Sequence, residues 1–191
     1  LIAPYMELAS DMTIVDACAG AGGKTLHIAD LLNHNGYIHC FDIHAVKLKN
    51  LQKRAKRTGL QIYRTHLVSK IKNWEAFDQI ADRVLIDAPC TGLGTLRRKP
   101  ILKWRLNQRW YNSIRKNQQL VLQQYAPMCK KGGLLIYATC SILPSENNEQ
   151  VDQFLETETG QNFKRIDQVQ INPSTSGGDG FYMAKLKRNV S

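Results

Sequence analysis

Asp16-Ala17-Cys18-Ala19-Gly20-Ala21-Gly22-Gly23-Lys24-Thr25 is the stretch whose reading decides the fold. The apolar run Thr13-Ile14-Val15 leads into it, and Leu26, Ile28, Ala29, Leu31 and Leu32 follow at helical spacing. A strand therefore enters a glycine turn and leaves as a helix. Gly20, Gly22 and Gly23 permit a sharp turn and let a ligand approach bare backbone beside the free N–H groups of the helix start. A phosphate-gripping Walker loop needs glycine at position 18, which holds Cys18, and the dinucleotide fingerprint needs one at position 25, which holds Thr25. Both counts fail by one residue. The expectation is a site for another small, nucleoside-like ligand, weighed against a structural turn that binds nothing.

The rest of the chain repeats the strand-then-helix alternation. The first helix, over 23–33, is followed by a strand over 37–43 that contains Asp42, then a basic helix over 45–58 closed by Gly59, and a third strand over 61–67. The continuous apolar run at 83–87 reads as a buried strand ending in Asp87. A long helix over 106–128 stops at Lys131-Gly132-Gly133, a fifth strand covers 134–138, and Pro144-Ser145 opens a helix whose first turn holds Glu146 and Glu149. A short helix over 2–9 precedes everything, and a last strand covers 181–186. This pattern predicts an α/β fold: a Rossmann-like, doubly wound, largely parallel sheet with helices on both faces. Ligand sites in such sheets lie at the strand C-terminal ends, which gathers Gly20 to Gly23, Asp42, Asp87, Cys90 and Cys140 along one crevice.

Composition sets the limits. At 191 residues the chain is long enough for one domain, 1–191, with a full core and no need of disulfides or metal. Twenty-six Lys and Arg against sixteen Asp and Glu give a net charge of +10, which favours a polyanionic partner such as nucleic acid. Five cysteines, with no CxxC pair, read as reduced thiols of a cytoplasmic protein, and no zinc spacing or membrane span is evident. Cys18, Cys40 and Cys129 are read as structural. The start at Leu1 reads as a fragment of a longer protein.

Asp42, 26 residues after Asp16, stands where an acid accepts hydrogen bonds from ribose hydroxyls. With no dinucleotide fingerprint, S-adenosylmethionine fits the loop and the acid together. Cys90 after Pro89 and Cys140 after Thr139 end what the topology makes neighbouring strands, so both thiols face one pocket. Two thiols at such a site suit methylation at carbon 5 of a pyrimidine, because that carbon becomes nucleophilic only after a thiolate adds to carbon 6. Either cysteine alone reads more simply as a small buried hydrophobe. Arg97, Arg98, Lys99, Lys103 and Arg105, with Trp104 among them and Trp110 beyond, form a basic loop suited to phosphates and base stacking, or a solvated face over a core Trp. The charge over 47–57 reads as a solvated helix face.

These residues together resemble the Sun/Nop-type family of RNA 5-methylcytosine methyltransferases, which use S-adenosylmethionine. DACAGAGGKT is similar to the family's DxCAAPGGKT loop, and DAPCTG with the following RRKP and KW is similar to its DAPCSG, RRHP and KW segments. YATCS with PSENNEQV resembles YSTCS with PEENExVV, and DGFYMAKL resembles the closing DGFFxAxL strand. The likeness runs over 11–187 in the family's order.

The resemblance implies a class I methyltransferase fold, Cys140 as nucleophile, Cys90 as the thiol that assists release, and Asp87 as the acid between cofactor and target cytosine. It implies Asp42 as the ribose acid and Cys18, Ala19, Gly20, Ala21, Gly22, Gly23 and Lys24 as the cradle of the cofactor's amino-acid part. It also favours ribosomal RNA over transfer RNA as partner. Gly20-Ala21 replaces the family's Ala-Pro, and Thr65-His66-Leu67 stands where the family carries an acid near the adenine amine. The family's N-terminal RNA-binding part does not precede Leu1 in this sequence. Two other readings stand beside this one: a non-catalytic RNA-binding or ribosome-assembly factor on the same fold, and a DNA cytosine methyltransferase whose nucleophile would be Cys90.

Overall fold

The computed structural model describes residues 1–190, the side chains of Arg105 and Ser176 excepted. In chain order the elements are α1 (Ile2–Tyr5), β1 (Thr13–Asp16), α2 (Gly23–Leu31), β2 (Tyr37–Asp42), α3 (Ala45–Thr58), β3 (Tyr63–Leu67) and β4 (Ala81–Asp87). Then come α4 (Leu102–Arg105), α5 (Gln108–Tyr125), β5 (Cys129–Thr139), α6 (Asn148–Leu155), β6 (Phe163–Ile171), α7 (Pro173–Ser176) and β7 (Phe181–Arg188). The strands form a single sheet in the order β3-β2-β1-β4-β5-β7-β6. β1 to β5 are parallel to one another, and β7 and β6 run antiparallel at one side.

Strict two-residue alternation inside fully apolar strands supplies two cores, one per face. Val15, Val84, Ile86, Leu135 and Tyr137 point to the face covered by α5 and α6, where Leu122, Tyr125 and Phe154 meet them. Ile14, Leu85, Leu134, Ile136 and Ala138 point to the other face, against Ile28 and Leu32 of the α2 segment and Leu51 and Ala55 of α3. Register then aligns the strand ends: Asp16 pairs with Leu85, and Asp87 pairs with Ala138.

Several elements differ from the sequence expectation. The first helix is one turn, Ile2–Tyr5, because the chain turns away at Glu7 (φ 52) where Met6 and Glu7 carbonyls receive the Arg83 guanidinium. The long helix ends at Tyr125 rather than near residue 128: Pro127 has no N–H to continue it, and Ala126–Met128 tightens to a 3-10 turn. Lys131-Gly132-Gly133 accordingly does not cap a helix but bulges inside β5, where pairing jumps from Ala81–Cys129 to Arg83–Leu134. β6 was not anticipated at all. It is an edge strand with only Phe163 fully buried, so its sequence carries little apolar alternation.

At the opposite edge, His39 of β2 and His66 of β3 touch, Nδ1 to Nε2 at 3.1 Å, and His66 stacks on Phe41 at 4.5 Å between centroids. Burial, with His39 and Arg64 nearby, pushes the His66 pKa down to about 4. Burial lowers His39 as well. The unfolded chain therefore binds protons more readily than the folded one between the usual imidazole range and about 4, so these groups withdraw stability as pH falls through that window. Thermal melts at pH 7 and 4.5 should show the parent losing more stability on acidification than His66→Phe, and parallel losses in the two proteins would refute the argument.

Candidate active site

β1, β2, β4 and β5 end at one edge of the sheet with Asp16, Asp42, Asp87 and Thr139. The loops that follow enclose a cavity of about 700 Å³, within the range of small-molecule sites. Residues 17–21, Gly23, Lys24, Asp42, Asp87, Cys90, Cys140 and one side of α5 line it.

The glycine loop is built for close approach. Gly22 caps α2 in the left-handed region (φ 83), and a Cβ there would lie 2.7 Å from Leu51 Cγ, so another residue strains the backbone and displaces the Leu51 side chain of α3. The Gly20 N–H donates to Asp42 Oδ2 at 2.9 Å and the His44 N–H to Oδ1 at 2.7 Å, which holds the nearly buried carboxylate rigid with lone pairs left on each oxygen. Lys24, on the first turn of α2, forms an ion pair with Asp87. Burial raises the Asp87 pKa, and Lys24 opposes that rise.

The two thiols meet. Cys90 Sγ and Cys140 Sγ are 3.3 Å apart, a hydrogen-bond contact between free cysteines. The pair is polarised: Cys140 lies below the usual thiol range because Cys90 donates to it, with Lys24 helping, although burial and Asp87 oppose. Cys90 is raised by that same bond, by burial and by the Glu146 carboxylate. The proton is thus drawn toward Cys90 and away from Cys140.

What fixes this contact lies behind it. Glu146 is fully buried and accepts from the Thr91 N–H at 2.8 Å, the Thr91 hydroxyl at 2.6 Å, the Ser141 hydroxyl, and Gln118 Nε2 at 3.2 Å. Gln118 also donates to the Pro89 carbonyl at 2.9 Å. Glu146 was expected as a first-turn carboxylate of a helix; it sits instead in a 3-10 turn before α6 and points inward.

Comparison with known proteins gives the family. The model of the family described as "16S rRNA methyltransferase RsmB/F" matches residues 3–187. The chain belongs to that family. It is 33% identical to the ribosomal RNA small subunit methyltransferase B of Enterobacter sp. (strain 638), over 95% of this chain and 44% of that protein. The crystal structure of PH0851 superposes with a TM-score of 0.90 at 32% identity, covering 97% of this chain and 44% of the other. NSun6 from Pyrococcus horikoshii, solved with SFG, gives 0.84 at 26% identity over 99% of this chain and 50% of that one. The chain thus spans about half the length of the relatives it matches.

The RsmB/F family is S-adenosylmethionine-dependent, its fold is the class I methyltransferase fold, and the cavity suits that cofactor. Its volume is sufficient, the Asp42 carboxylate is presented at the β2 end, and a Cβ at Gly23 would meet nothing within 4 Å, so backbone is bare there.

The basic loop is only partly as the sequence suggested. Arg98 is engaged by Asp179, Nε donating to both oxygens at 3.1 and 2.8 Å, and Arg97 donates to the Gly177 carbonyl. These two arginines tie the loop to the segment before β7 instead of standing free. Lys99, Lys103 and Trp104 are exposed, Trp104 at 77%, with the Lys103 ammonium 5.0 Å from the indole. The Arg105 side chain lies outside the described residues, and Trp110 is half-buried in the first turn of α5. Cys40 and Cys129 are buried, whereas Cys18 lines the cavity.

Sequence reading missed Glu146, Thr91 and Gln118, and also the buried Asp16, whose carboxyl accepts from the Thr25 hydroxyl at 2.7 Å and is raised to about 6 by burial. Asp16, Thr91 and Glu146 stand inside the quoted motifs, but nothing local tells the roles of Thr91, Glu146 and Gln118, whose mutual partners lie 28 to 55 residues apart.

Glu146→Ala strands the Thr91 N–H and the donors around it. The expected loss is about 2–4 kcal/mol, seen as a fall in melting temperature of roughly 5–15 °C. A melting temperature within error of the parent would show that the network does not hold the loops.

Proposed function

We propose that this chain is the catalytic domain of an RNA methyltransferase that moves a methyl group from S-adenosylmethionine to carbon 5 of a cytosine, with the small-subunit ribosomal RNA as substrate. The observation that carries the reading is the 3.3 Å contact of two free thiols at the wall of a cofactor-sized cavity. Membership of the RsmB/F family supports it and favours 16S over transfer RNA.

When bound, S-adenosylmethionine supplies an electrophilic methyl group on sulfonium. Residues 18–24 cradle its amino-acid part and Asp42 receives the ribose hydroxyls in this reading. Cys140, whose ionisation the Cys90 S–H and Lys24 favour, adds as thiolate to carbon 6 of the base, which makes carbon 5 nucleophilic. Asp87, raised by burial, is suited to hold a proton at the base's ring nitrogen while Lys24 fixes its orientation.

After methylation carbon 5 carries a proton that must leave. Cys90 takes that role, and its timing follows from the pair: while Cys140 is a thiolate, the bond to it and the charge keep Cys90 protonated. Conversion of Cys140 to a thioether removes that acceptor charge, so the Cys90 thiol gives its own proton to solvent water more easily and, as thiolate, takes the proton from carbon 5. The electron pair freed at carbon 5 restores the ring double bond and expels Cys140.

Lys99, Lys103 and Trp104 present charge and a stacking surface next to this site for the RNA, with Arg97 and Arg98 holding their loop. The protein would act in the cytoplasm, where ribosomal RNA is made. Among the described residues no helix is long and apolar enough to cross a membrane, and no cluster of three or more metal-ligating side chains occurs.

The test uses the full-length protein with methyl-labelled S-adenosylmethionine and unmodified 16S RNA. The parent should give labelled 5-methylcytosine, Cys140→Ala should lose at least about a thousandfold in rate, as expected for removal of a nucleophile, and Cys90→Ala should accumulate a covalent protein–RNA adduct on denaturing gels. Equal loss in both variants without adduct would undo the thiol roles. Cofactor binding with neither product nor adduct from the parent would favour the RNA-binding or assembly factor.

A further inference from the structure

Two turns of α5 that line the cavity are anchored at different places, which gives it two ends. At one, Gln118 is bonded to the Pro89 carbonyl and to Glu146, so the neighbouring Asn117 belongs to the thiol end. At the other, Tyr125 packs edge-on against Phe41 of β2 at 5.4 Å and Trp74 at 5.7 Å, which anchors the last turn of α5, with the cavity-lining Gln124, on the β2 side. Ile43, directly after Asp42, and Leu120, one turn before Gln124, line this second end and remain 66% and 53% exposed. Val68 and Val121 complete its apolar lining. A flat aromatic ring attached to a ribose held at Asp42 would cover those side chains.

An adenine ring also has a polar edge: an amine donor on carbon 6 beside an acceptor at N1. Burying that edge against apolar walls alone would be unfavourable. No carboxylate lines this end apart from Asp42, whose remaining lone pairs the reading above gives to the ribose hydroxyls. The chain after β3 contributes Val68 there. Lys47 offers only donors, and the His44 ring offers a single acceptor when neutral. Gln124 carries an acceptor and a donor side by side, lines the cavity, and its side chain has no hydrogen-bond partner among the described residues.

We infer that Gln124 reads the adenine edge of the cofactor, its amide oxygen accepting from the amine and its amide nitrogen donating to N1. This rests on the S-adenosylmethionine site above and adds a specificity residue that neither the glycine loop nor the strand-end acids supply. A carboxamide can turn over, so this site should also tolerate a 6-oxo purine better than a carboxylate would.

Calorimetric titration of the full-length protein decides the matter without RNA or turnover. The ligands are S-adenosylhomocysteine and its analogue with hydrogen in place of the purine amine. The parent should prefer the adenine ligand about five- to tenfold, the worth of one neutral hydrogen bond. Gln124→Leu should bind both ligands equally, with its melting temperature unchanged because residue 124 is exposed. Gln124→Glu, which keeps the acceptor, should retain the preference. A preference that survives in Gln124→Leu, or that is lost in His44→Ala or Asn117→Ala instead, overturns the assignment while leaving the cofactor site intact. Failure of the parent to bind either ligand would overturn the cofactor site itself.

Discussion

Glu146 reaches from the turn after β5 into the space between two loops that the sheet by itself leaves independent. One loop follows β4 and carries Cys90 next to Thr91; the other follows β5 and carries Cys140 next to Ser141. A carboxylate without solvent is tolerable only where donors surround it, and Thr91, Ser141 and Gln118 provide four. The separation of the sulfurs is therefore set by an acid that bonds to neither of them. Backbone contacts behind the loops add to the constraint. The Gly94 N–H donates to the Cys140 carbonyl at 2.9 Å and the Gly180 N–H to the Gly94 carbonyl at 2.7 Å, and a Cβ on Gly94 would lie 2.2 Å from Gly180 oxygen. Gly94, packed between the Gly180 and Cys140 carbonyls, is thus a packing requirement of the thiol site.

Electrostatics then gives two chemically equal residues different states. Glu146 lies on the Cys90 side, whereas Lys24 acts on Cys140, so the proton shared between the sulfurs has a preferred owner. The same lysine pairs with Asp87 across from α2 to β4, possible because the strand order sets β1 beside β4. Cofactor loop, acid and thiols are consequently parts of one charge network, and a change at Lys24 would reach both sulfurs.

Much of the fold was legible because its causes are local. Thr13 to Thr25 shows a strand, a glycine turn and a helix start in thirteen residues, and the apolar runs at 83–87 and 134–138 declare strands buried on both faces. β6 escaped because an edge strand buries little, and the ends of α1 and α5 were misjudged where Arg83 and Pro127 intervene. The site divided along the same line. Asp42, Asp87, Cys90 and Cys140 stand at strand ends, where topology alone gathers them, whereas Arg97 and Arg98 looked free and are held by Gly177 and Asp179, about 80 residues on.

The sequence by itself determined the alternation of strands and helices, the bare loop at Gly20 to Gly23 and the set of reactive side chains at the strand ends, since each depends on neighbours a few residues apart. Only the tertiary structure decided that Cys90 and Cys140 touch, that Glu146 holds them, and that α5 turns Gln124 toward the end of the cavity near Asp42. Those outcomes depend on distances between groups 28 to 55 residues apart or more, which no periodicity records and which close packing alone fixes.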